Sequence, residues 1–434
     1  MASRLHEPLT DGPALGVGPS RSLTEAGGQG AALPRPPRAA LVAAAIVATG
    51  IVLWAFHLAA GGAGGGPLAI SLVLGAVFGL LLQRSRFCFF CISRDFFERR
   101  DARGLLGLVA ALAVGTLGYH AVFGAFLPDP GVGRLPPDAH IGPVSWVLAA
   151  GAGAFGVGMA LSGSCISAHL YRLGEGATAS PFALLGALAG FALGFLTWNA
   201  LYLGAVQAAP VVWLPAFAGY GASVLLQLAA LSLVAWLLVR FSRRQPAEAP
   251  APTLTEALWR RRWPTYVGGC LIGMLGVIAY FRVGPLGVTA ELGSLSRTMA
   301  DAASLLPARL EGLDGFSGCA TVIKDAILSE NGVFVAGLVL AAFASALVAG
   351  DFRPTWPTAE AIARNLAGGV LMGWGAMVAL GCTVGTLLSG IMAGAASGWV
   401  FWLFCTLGML LGMGLRKRLP PGAGRPARSG AAAA

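Results

Sequence analysis

Residues 371–390 read LMGWGAMVALGCTVGTLLSG, and none of them carries a charge. An apolar segment of about 20 residues can cross the ~30 Å hydrocarbon core of a bilayer as a helix. Gly381 and Cys382 interrupt this segment, because glycine lowers helix propensity and permits a turn. Non-helical backbone at membrane depth is tolerated only where it is buried in protein or lines a cavity. The stretch therefore predicts a membrane-spanning helix that is broken at a functional position.

Similar apolar segments recur along the whole chain. Of its 434 residues, 56% are hydrophobic and only 11% are charged, whereas a soluble domain carries about 25% charged residues. We therefore predict an all-α integral membrane protein with about ten transmembrane helices and additional re-entrant half-helices. The predicted spans are 39–60, 66–83, 104–127, 143–162, 181–206, 216–239, 264–281, 333–350, 366–390 and 394–415.

The distribution of positive charge predicts the orientation of these spans. With ten spans, all but five of the 29 basic residues fall on one side of the membrane. By the positive-inside rule that side is cytoplasmic and holds both termini. The net charge of +10 is therefore a topology signal rather than a sign of nucleic-acid binding. The exceptions are Arg134, Arg282, Arg297, Arg309 and Lys324.

The chain divides into two membrane halves on this interpretation. A disordered cytoplasmic tail (1–38) precedes the first half (39–240), and a basic cytoplasmic linker (241–263) joins it to the second half (264–415), which a second cytoplasmic tail (416–434) follows. Aligning Cys165 with Cys382 superimposes further residues at the same offset. The two aligned spans run in opposite directions, which is typical of inverted-repeat transporters. The matched pairs are Gly151 and Gly368, Gly156 and Gly373, Gly158 and Gly375, and Leu170 and Leu387.

Four cysteines lie where helices are expected to break. A helix that restarts at such a turn directs unpaired N–H groups and the positive end of its dipole into the protein, which suits an anion. A thiol in apolar surroundings stays neutral and offers weak contacts to a sulfur atom without repelling an anion. Because the predicted spans contain no Lys or Arg, we expect these helix ends to stabilise the anion. The candidate pathway residues are Cys88, Cys165, Cys319 and Cys382, with Arg86, Gly163, Ser164, Gly318, Gly381 and Thr383.

The pair Cys88 and Cys91 leaves an alternative open. Its Cys-x-x-Cys spacing would suit an intramembrane thiol oxidoreductase, if nearby arginines activated one thiol. As a zinc half-site it lacks a second pair of ligands. The chain has no nucleotide-binding loop, and we predict no metal, no cofactor and no enzymatic activity. The near absence of acidic residues from the spans favours a channel-like route over proton coupling.

The motifs resemble those of the YeeE/YedE family of sulfur-compound transporters. They are QRSRFCFFCISRDFF (83–97), GSCISAHLYRLGEG (163–176), EGLDGFSGC (311–319) and MGWGAMVALGCTVGTLLSG (372–390). The resemblance implies a bacterial inner-membrane protein that passes thiosulfate along spaced cysteines, here Cys88, Cys165 and Cys382. Ser164 stands where we expect glycine before the cysteine, and Cys319 adds a fourth candidate.

The cargo and the partners follow from the same resemblance. Thiosulfate is the expected substrate, and sulfite, sulfide, a sulfonate or a selenium oxyanion is the alternative. Membrane lipid surrounds such a protein, and a cytoplasmic sulfur-carrier or sulfurtransferase protein is a candidate partner for receiving the cargo.

Overall fold

The computed structural model describes residues 36–62, 64–243, 256–313, 322–324 and 328–418, and within these ranges every regular element is a helix. Nine helical segments are long and apolar enough to cross a membrane, or ten if one bent pair counts as a span. The predicted all-α membrane fold with about ten spans is confirmed. The α-helices are α1 (Arg38–Ala59), α2 (Gly65–Ser85), α3 (Phe89–Arg99), α4 (Arg103–Phe126), α5 (Trp146–Ser162), α6 (Ile166–Gly174), α7 (Ser180–Leu201), α8 (Leu214–Phe241), α9 (Thr265–Arg282), α10 (Thr289–Ala302), α11 (Glu330–Ala349), α12 (Ala359–Val378), α13 (Gly390–Met392) and α14 (Ala396–Arg418).

Several helices begin at a hydroxyl side chain that caps the first turn. Ser145 accepts a hydrogen bond from the Leu148 N–H at 3.2 Å at the start of α5. Thr358 caps α12 in the same way. Three π-helical segments, Tyr202–Val206, Glu256–Arg260 and Thr383–Ser389, accompany the α-helices. The last of these runs directly into α13, so that Thr383–Met392 forms one half-helix, bent by 43° from α12.

The centre of the molecule is a close crossing of α5 and α12 at matched glycines. A Cβ on Gly158 would lie 2.5 Å from the Gly368 carbonyl oxygen, and a Cβ on Gly368 would lie 2.6 Å from the Gly158 oxygen. Gly151 and Gly375 face each other in the same reciprocal way. These four glycines belong to the aligned set, and replacing each by its aligned equivalent converts the Gly158–Gly368 contact into the Gly375–Gly151 contact. Such self-complementary contact is what an axis of two-fold pseudosymmetry produces.

The other helices repeat this exchange of partners. Helix α5 packs on α14 while α12 packs on α7, and α2 packs on α11 while α9 packs on α4. Gly75 and Gly79 of α2 lie against the α11 backbone, and Gly269 and Gly273 of α9 lie against the α4 backbone. Glycines spaced by four residues allow membrane helices to approach closely. The packing therefore supports two structurally equivalent halves, α2–α7 and α9–α14.

Helices α1 and α8 lie outside this repeat and are the most exposed. On α1 the side chains of Ile46 and Phe56 are 66% and 71% exposed, and on α8 those of Phe217 and Leu225 are 76% and 70% exposed. Apolar side chains that are exposed to this extent are compatible with lipid but unfavourable in water. The two helices form part of the apolar periphery of the molecule.

Candidate functional site

Each of the three described candidate cysteines occupies the N-cap position of a half-helix. Cys88 precedes α3, Cys165 precedes α6 and Cys382 precedes the Thr383–Met392 half-helix. All three are buried, with at most 1% of the residue exposed. The first N–H groups of a helix have no partner within the helix and carry its positive dipole end. The predicted helix restarts at Cys88, Cys165 and Cys382 are therefore present.

The same backbone geometry produces all three breaks. A residue in the left-handed conformation stands two positions before each cysteine: Arg86 at φ 52°, Gly163 at φ 82° and Leu380 at φ 55°. A left-handed residue terminates an α-helix by turning the chain out of it. Gly381 also has positive φ, at 151°, whereas Ser164 does not. The serine that replaces the expected glycine is thus compatible with the turn, because only Gly163 needs the left-handed region there.

Cys88 and Cys165 are brought together although 77 positions separate them in the sequence. Their sulfur atoms lie 3.9 Å apart, and the Cys165 sulfur lies 3.3 Å from the Ser167 hydroxyl. Backbone N–H groups of Ala168 and Phe89 also face the Cys165 sulfur. Beside this pair the Ser164 hydroxyl is buried without a hydrogen-bond partner among the described residues. Two half-helix N-termini and two thiols thus converge on one buried point.

Cys382 has a related environment in the second half. Its sulfur accepts a hydrogen bond from the Val384 N–H at 3.4 Å, and the Gly385 N–H also faces it. The Thr289 side chain, on the first residue of α10, hydrogen-bonds with Cys382. Helix α10 is the counterpart of α3, whose N-cap is Cys88. The second half therefore places a hydroxyl near the position where the first half has a thiol. Thr383 is buried as the first residue after this N-cap.

A polar network lies at the end of the molecule next to Cys88. Arg86 forms ion pairs with Glu175 at 3.4 Å and with Asp351 at 3.6 Å. The Gln83 amide donates to the same two carboxylates, at 3.2 and 3.3 Å. Arg86 ends α2 and Glu175 follows α6, while Asp351 follows α11 of the second half. The network therefore joins the two halves beside the cysteine pair.

Arg172 and Arg84 overturn one expectation from the sequence. No cation was expected within the spans, yet the Arg172 guanidinium donates to the Cys91 sulfur at 3.2 Å, and Arg84 is only 1% exposed near the end of α2. The predicted spans ended at 83 and 162, whereas α2 extends to Ser85 and α6 continues the Trp146–Gly174 segment across the break. Sequence reasoning stopped each span at its turn and so assigned these arginines to loops. Arg282, at the end of α9, is exposed.

A small cavity is lined by residues on both sides of Cys382 in the sequence, Leu380 and Thr386. Its volume is about 20 Å³, which is room for one or two water molecules. Burial lowers the pKa of His140 in its wall to about 4, so that this imidazole is neutral near pH 7. A sulfur oxyanion has at least four heavy atoms and needs more space than this. The cavity is lined by His140, Gly142, Ser145, Leu380, Thr386 and Ser397, among others.

Two predicted site residues, Gly318 and Cys319, lie outside the described residues. Within the described ranges, no group of three or more His, Cys, Asp or Glu side chains could hold a metal ion. Glu175, Asp351 and Thr289 were not identified as site residues from the sequence. The one local signal for Glu175 was its place in the motif GSCISAHLYRLGEG (163–176), between two glycines and ten positions after Cys165.

The fold and the site together define a multi-pass membrane protein of the inverted-repeat transporter class. The family described as "Sulphur transport" matches residues 84–411. The chain belongs to this family, as its motifs predicted. Among curated proteins it is similar to the "Thiosulfate transporter TsuA" of Escherichia coli (strain K12), with 28% identity over 78% of this chain and 91% of that protein. It is equally similar to the protein of the same name from Spirochaeta thermophila, with 28% identity over 78% of this chain and 95% of that protein.

Proposed function

We propose that this protein imports thiosulfate through a pathway lined by Cys88, Cys165 and Cys382. The observation that carries the proposal is the shared geometry of the three breaks, in which a buried thiol is the N-cap of a half-helix each time. Both similar curated proteins are named as thiosulfate transporters, which supports this substrate.

The chemistry of the three breaks suits a sulfur-containing dianion. An anion that leaves water needs replacement hydrogen bonds, since an uncompensated charge in hydrocarbon is strongly unfavourable. Half-helix N-termini supply N–H donors and roughly half a positive charge each. The thiols add weak contacts to the terminal sulfur atom, and weak, repeated contacts allow the ion to leave each position. The paired sites at Cys165 and Cys382, one in each half, would then act in succession.

The orientation and the partners are part of the same proposal. The positive-inside rule and the basic segments support a bacterial inner-membrane location with both termini in the cytoplasm. The Cys88–Cys165 pair then lies toward the cytoplasm, and the small cavity near Cys382 toward the outside. Lipid covers the apolar periphery, and a cytoplasmic sulfur-carrier or sulfurtransferase protein would receive the cargo.

Uptake of radiolabelled thiosulfate by a bacterium that lacks its own sulfate and thiosulfate importers tests this proposal. Cells that express the protein should accumulate label and grow on thiosulfate as sole sulfur source. Unlabelled sulfite, sulfate and selenite serve as competitors. Competition by thiosulfate alone supports the substrate assignment. Uptake of sulfite or selenite without uptake of thiosulfate would overturn the substrate while keeping the transport class.

A further inference from the structure

Four arginines and two carboxylates form a cluster next to the Cys88–Cys165 pair. We call this cluster the arginine vestibule. Arg86 is ion-paired to both carboxylates. Arg84 and Arg262 lie within electrostatic range of Asp351 and Arg86, and Arg172 lies within range of Glu175 and both Cys88 and Cys91. The vestibule consists of Arg84, Arg86, Arg172, Arg262, Glu175 and Asp351.

The charges of the vestibule do not balance. Four guanidinium groups face two carboxylates, which leaves an excess of two positive charges. Water screens the exposed Arg262, but Arg84 is buried. A charge that is shielded from water is unfavourable unless a counter-charge is present for part of the time. Thiosulfate carries two negative charges, so one bound ion would neutralise the cluster.

Unused hydrogen-bond donors accompany this excess charge. Arg84 is buried, with only 1% of the residue exposed. Its Nε and Nη1 atoms have no hydrogen-bond partner among the described residues. Its Nη2 donates to the Arg261 carbonyl oxygen. The Arg86 Nε is also buried without a partner. The planar guanidinium group can donate two parallel hydrogen bonds to one oxyanion, which makes arginine a preferred ligand for such ions.

We propose that the arginine vestibule is a second binding site for the transported dianion, which receives it after the Cys88–Cys165 pair and before release. Arg84 and Arg86 donate to the oxyanion, and Arg172 contributes charge from the side of Cys91. This inference rests on the proposed thiosulfate transport. It adds a site that contains no cysteine, whose ligand class is a tetrahedral divalent oxyanion.

Glu175 and Asp351 have a defined role in this site. Both carboxylates form ion pairs with the Arg86 guanidinium, at 3.4 and 3.6 Å. They therefore compete with the substrate for this guanidinium. A site of four arginines alone would retain a dianion too strongly for transport, because passage requires binding weak enough to permit exit. The carboxylates thus promote release by returning to Arg86 as the ion departs.

Binding to the purified full-length protein in detergent tests this assignment. The probes are sodium thiosulfate and sodium sulfate, titrated calorimetrically at constant ionic strength. Arg84→Gln and Arg86→Gln should each weaken binding about tenfold or more, since a hydrogen bond to a charged group contributes about 1.5–3 kcal/mol. Arg103→Gln is the matched control, because Arg103 is 54% exposed and pairs with Asp101 on the same end of the molecule. It should bind as the wild type does.

Glu175→Gln gives a result in the opposite direction. Removing one competitor should tighten thiosulfate binding several-fold and lower the maximal uptake rate, which damage to the fold would not do.

If Arg84 serves only to hold the linker, Arg84→Gln will lower the melting temperature with an unchanged Kd, and Glu175→Gln will not tighten binding. That pair of results would overturn the vestibule while wild-type thiosulfate uptake persists. If the wild type neither takes up nor binds thiosulfate, the proposed function is overturned. In that case, sulfate binding that depends on Arg84 and Arg86 would still support the vestibule as a binding site for a different dianion.

Discussion

At the scale of single residues, the spacing between the left-handed residue and the cysteine is the same at all three breaks. Arg86 and Leu380 take up the left-handed conformation without being glycine, which costs of order 1–2 kcal/mol each. At Arg86 the ion pairs to Glu175 and Asp351 offset this strain. A strained residue two positions before a buried thiol is consistent with a break that is retained for function rather than for stability.

The first prediction concerns the two repeat-related cysteines. Cys165→Ser and Cys382→Ser should insert normally yet lower thiosulfate uptake per inserted molecule by about fivefold to tenfold, because each removes a soft contact that contributes about 1 kcal/mol or slightly more. Serine is nearly isosteric but is a harder and better-hydrated group. Radiolabelled uptake divided by protein abundance is the measurement. Cys405→Ser is the control, since Cys405 is equally buried but lies within α14 rather than at a break. Equal uptake by all three variants would end the case for the thiols.

The second prediction separates transport from thiol redox chemistry. Cys91→Ser should retain most uptake, because a serine oxygen can still accept the hydrogen bond that Arg172 now donates to the Cys91 sulfur. Cys88→Ser should lose most uptake, because Cys88 is the N-cap thiol that lies 3.9 Å from Cys165. Uptake assays on both variants and mass spectrometry of the wild type provide the readout. Equal loss in both, together with a Cys88–Cys91 disulfide, would favour an oxidoreductase.

At the scale of helices, the crossing of α5 and α12 depends on the absence of side chains. Backbone oxygen atoms occupy the space where a Cβ of Gly158 or Gly368 would lie. Helix packing without a hydrophobic driving force relies on such close contact. Since both cysteine breaks that the repeat relates follow these two helices, the crossing also sets the relative positions of the two half-helices.

The third prediction tests this crossing with two alanine substitutions on one helix. Gly158→Ala should destabilise the protein by about 1–3 kcal/mol, the usual range for overpacking, because its Cβ would meet the Gly368 carbonyl oxygen at 2.5 Å. Gly153→Ala should be nearly neutral, because its nearest atom lies 4.0 Å away. Thermal unfolding in detergent compares them. Similar melting temperatures for the two variants would contradict the packing argument.

At the scale of the whole molecule, the basic segments gather at one end. The Arg243 N–H donates to the Arg100 carbonyl oxygen, and the Trp263 N–H donates to that of Arg84, at 3.0 Å each. Lys417, close to the end of α14, lies 3.7 Å from Glu98. These contacts join the end of α2, the linker and the end of α14. These segments therefore all lie on the same side of the membrane, so that locating one of them locates the others.

The fourth prediction follows from this grouping. Reporter fusions placed after Arg100 and after Arg243 should both report a cytoplasmic location, and a fusion placed after Arg134 should report the outside. The positive-inside rule gives the direction. The two inner fusions must agree because their backbones are hydrogen-bonded in the structure. Opposite locations for these two fusions would contradict the structure, and an outside location for both would reverse the proposed direction of import.

Local sequence signals sufficed for the membrane-spanning helices and the three breaks, although α10 was not predicted. Hydropathy predicts the spans because the bilayer imposes a length of about 20 apolar residues on each helix, and the breaks at Cys88, Cys165 and Cys382 are readable because the motifs interrupt apolar helices. The repeat was also readable, since the glycines of α5 and α12 recur at the same offset as the two cysteines. The positions of the spans and of the three half-helix starts were accordingly predictable before any coordinates.

Only the tertiary structure decided which groups meet at the site. Cys88 and Cys165 are 77 positions apart, and the Arg86–Asp351 ion pair joins opposite halves of the chain. The contact of Thr289 with Cys382 likewise depends on how α10 packs. Hydropathy is a property of each segment alone, whereas these contacts result from helix packing across the pseudosymmetry axis. For the same reason the sequence placed Arg84 and Arg172 in loops, whereas the folded chain buries Arg84 and brings the Arg172 guanidinium within 3.2 Å of the Cys91 sulfur.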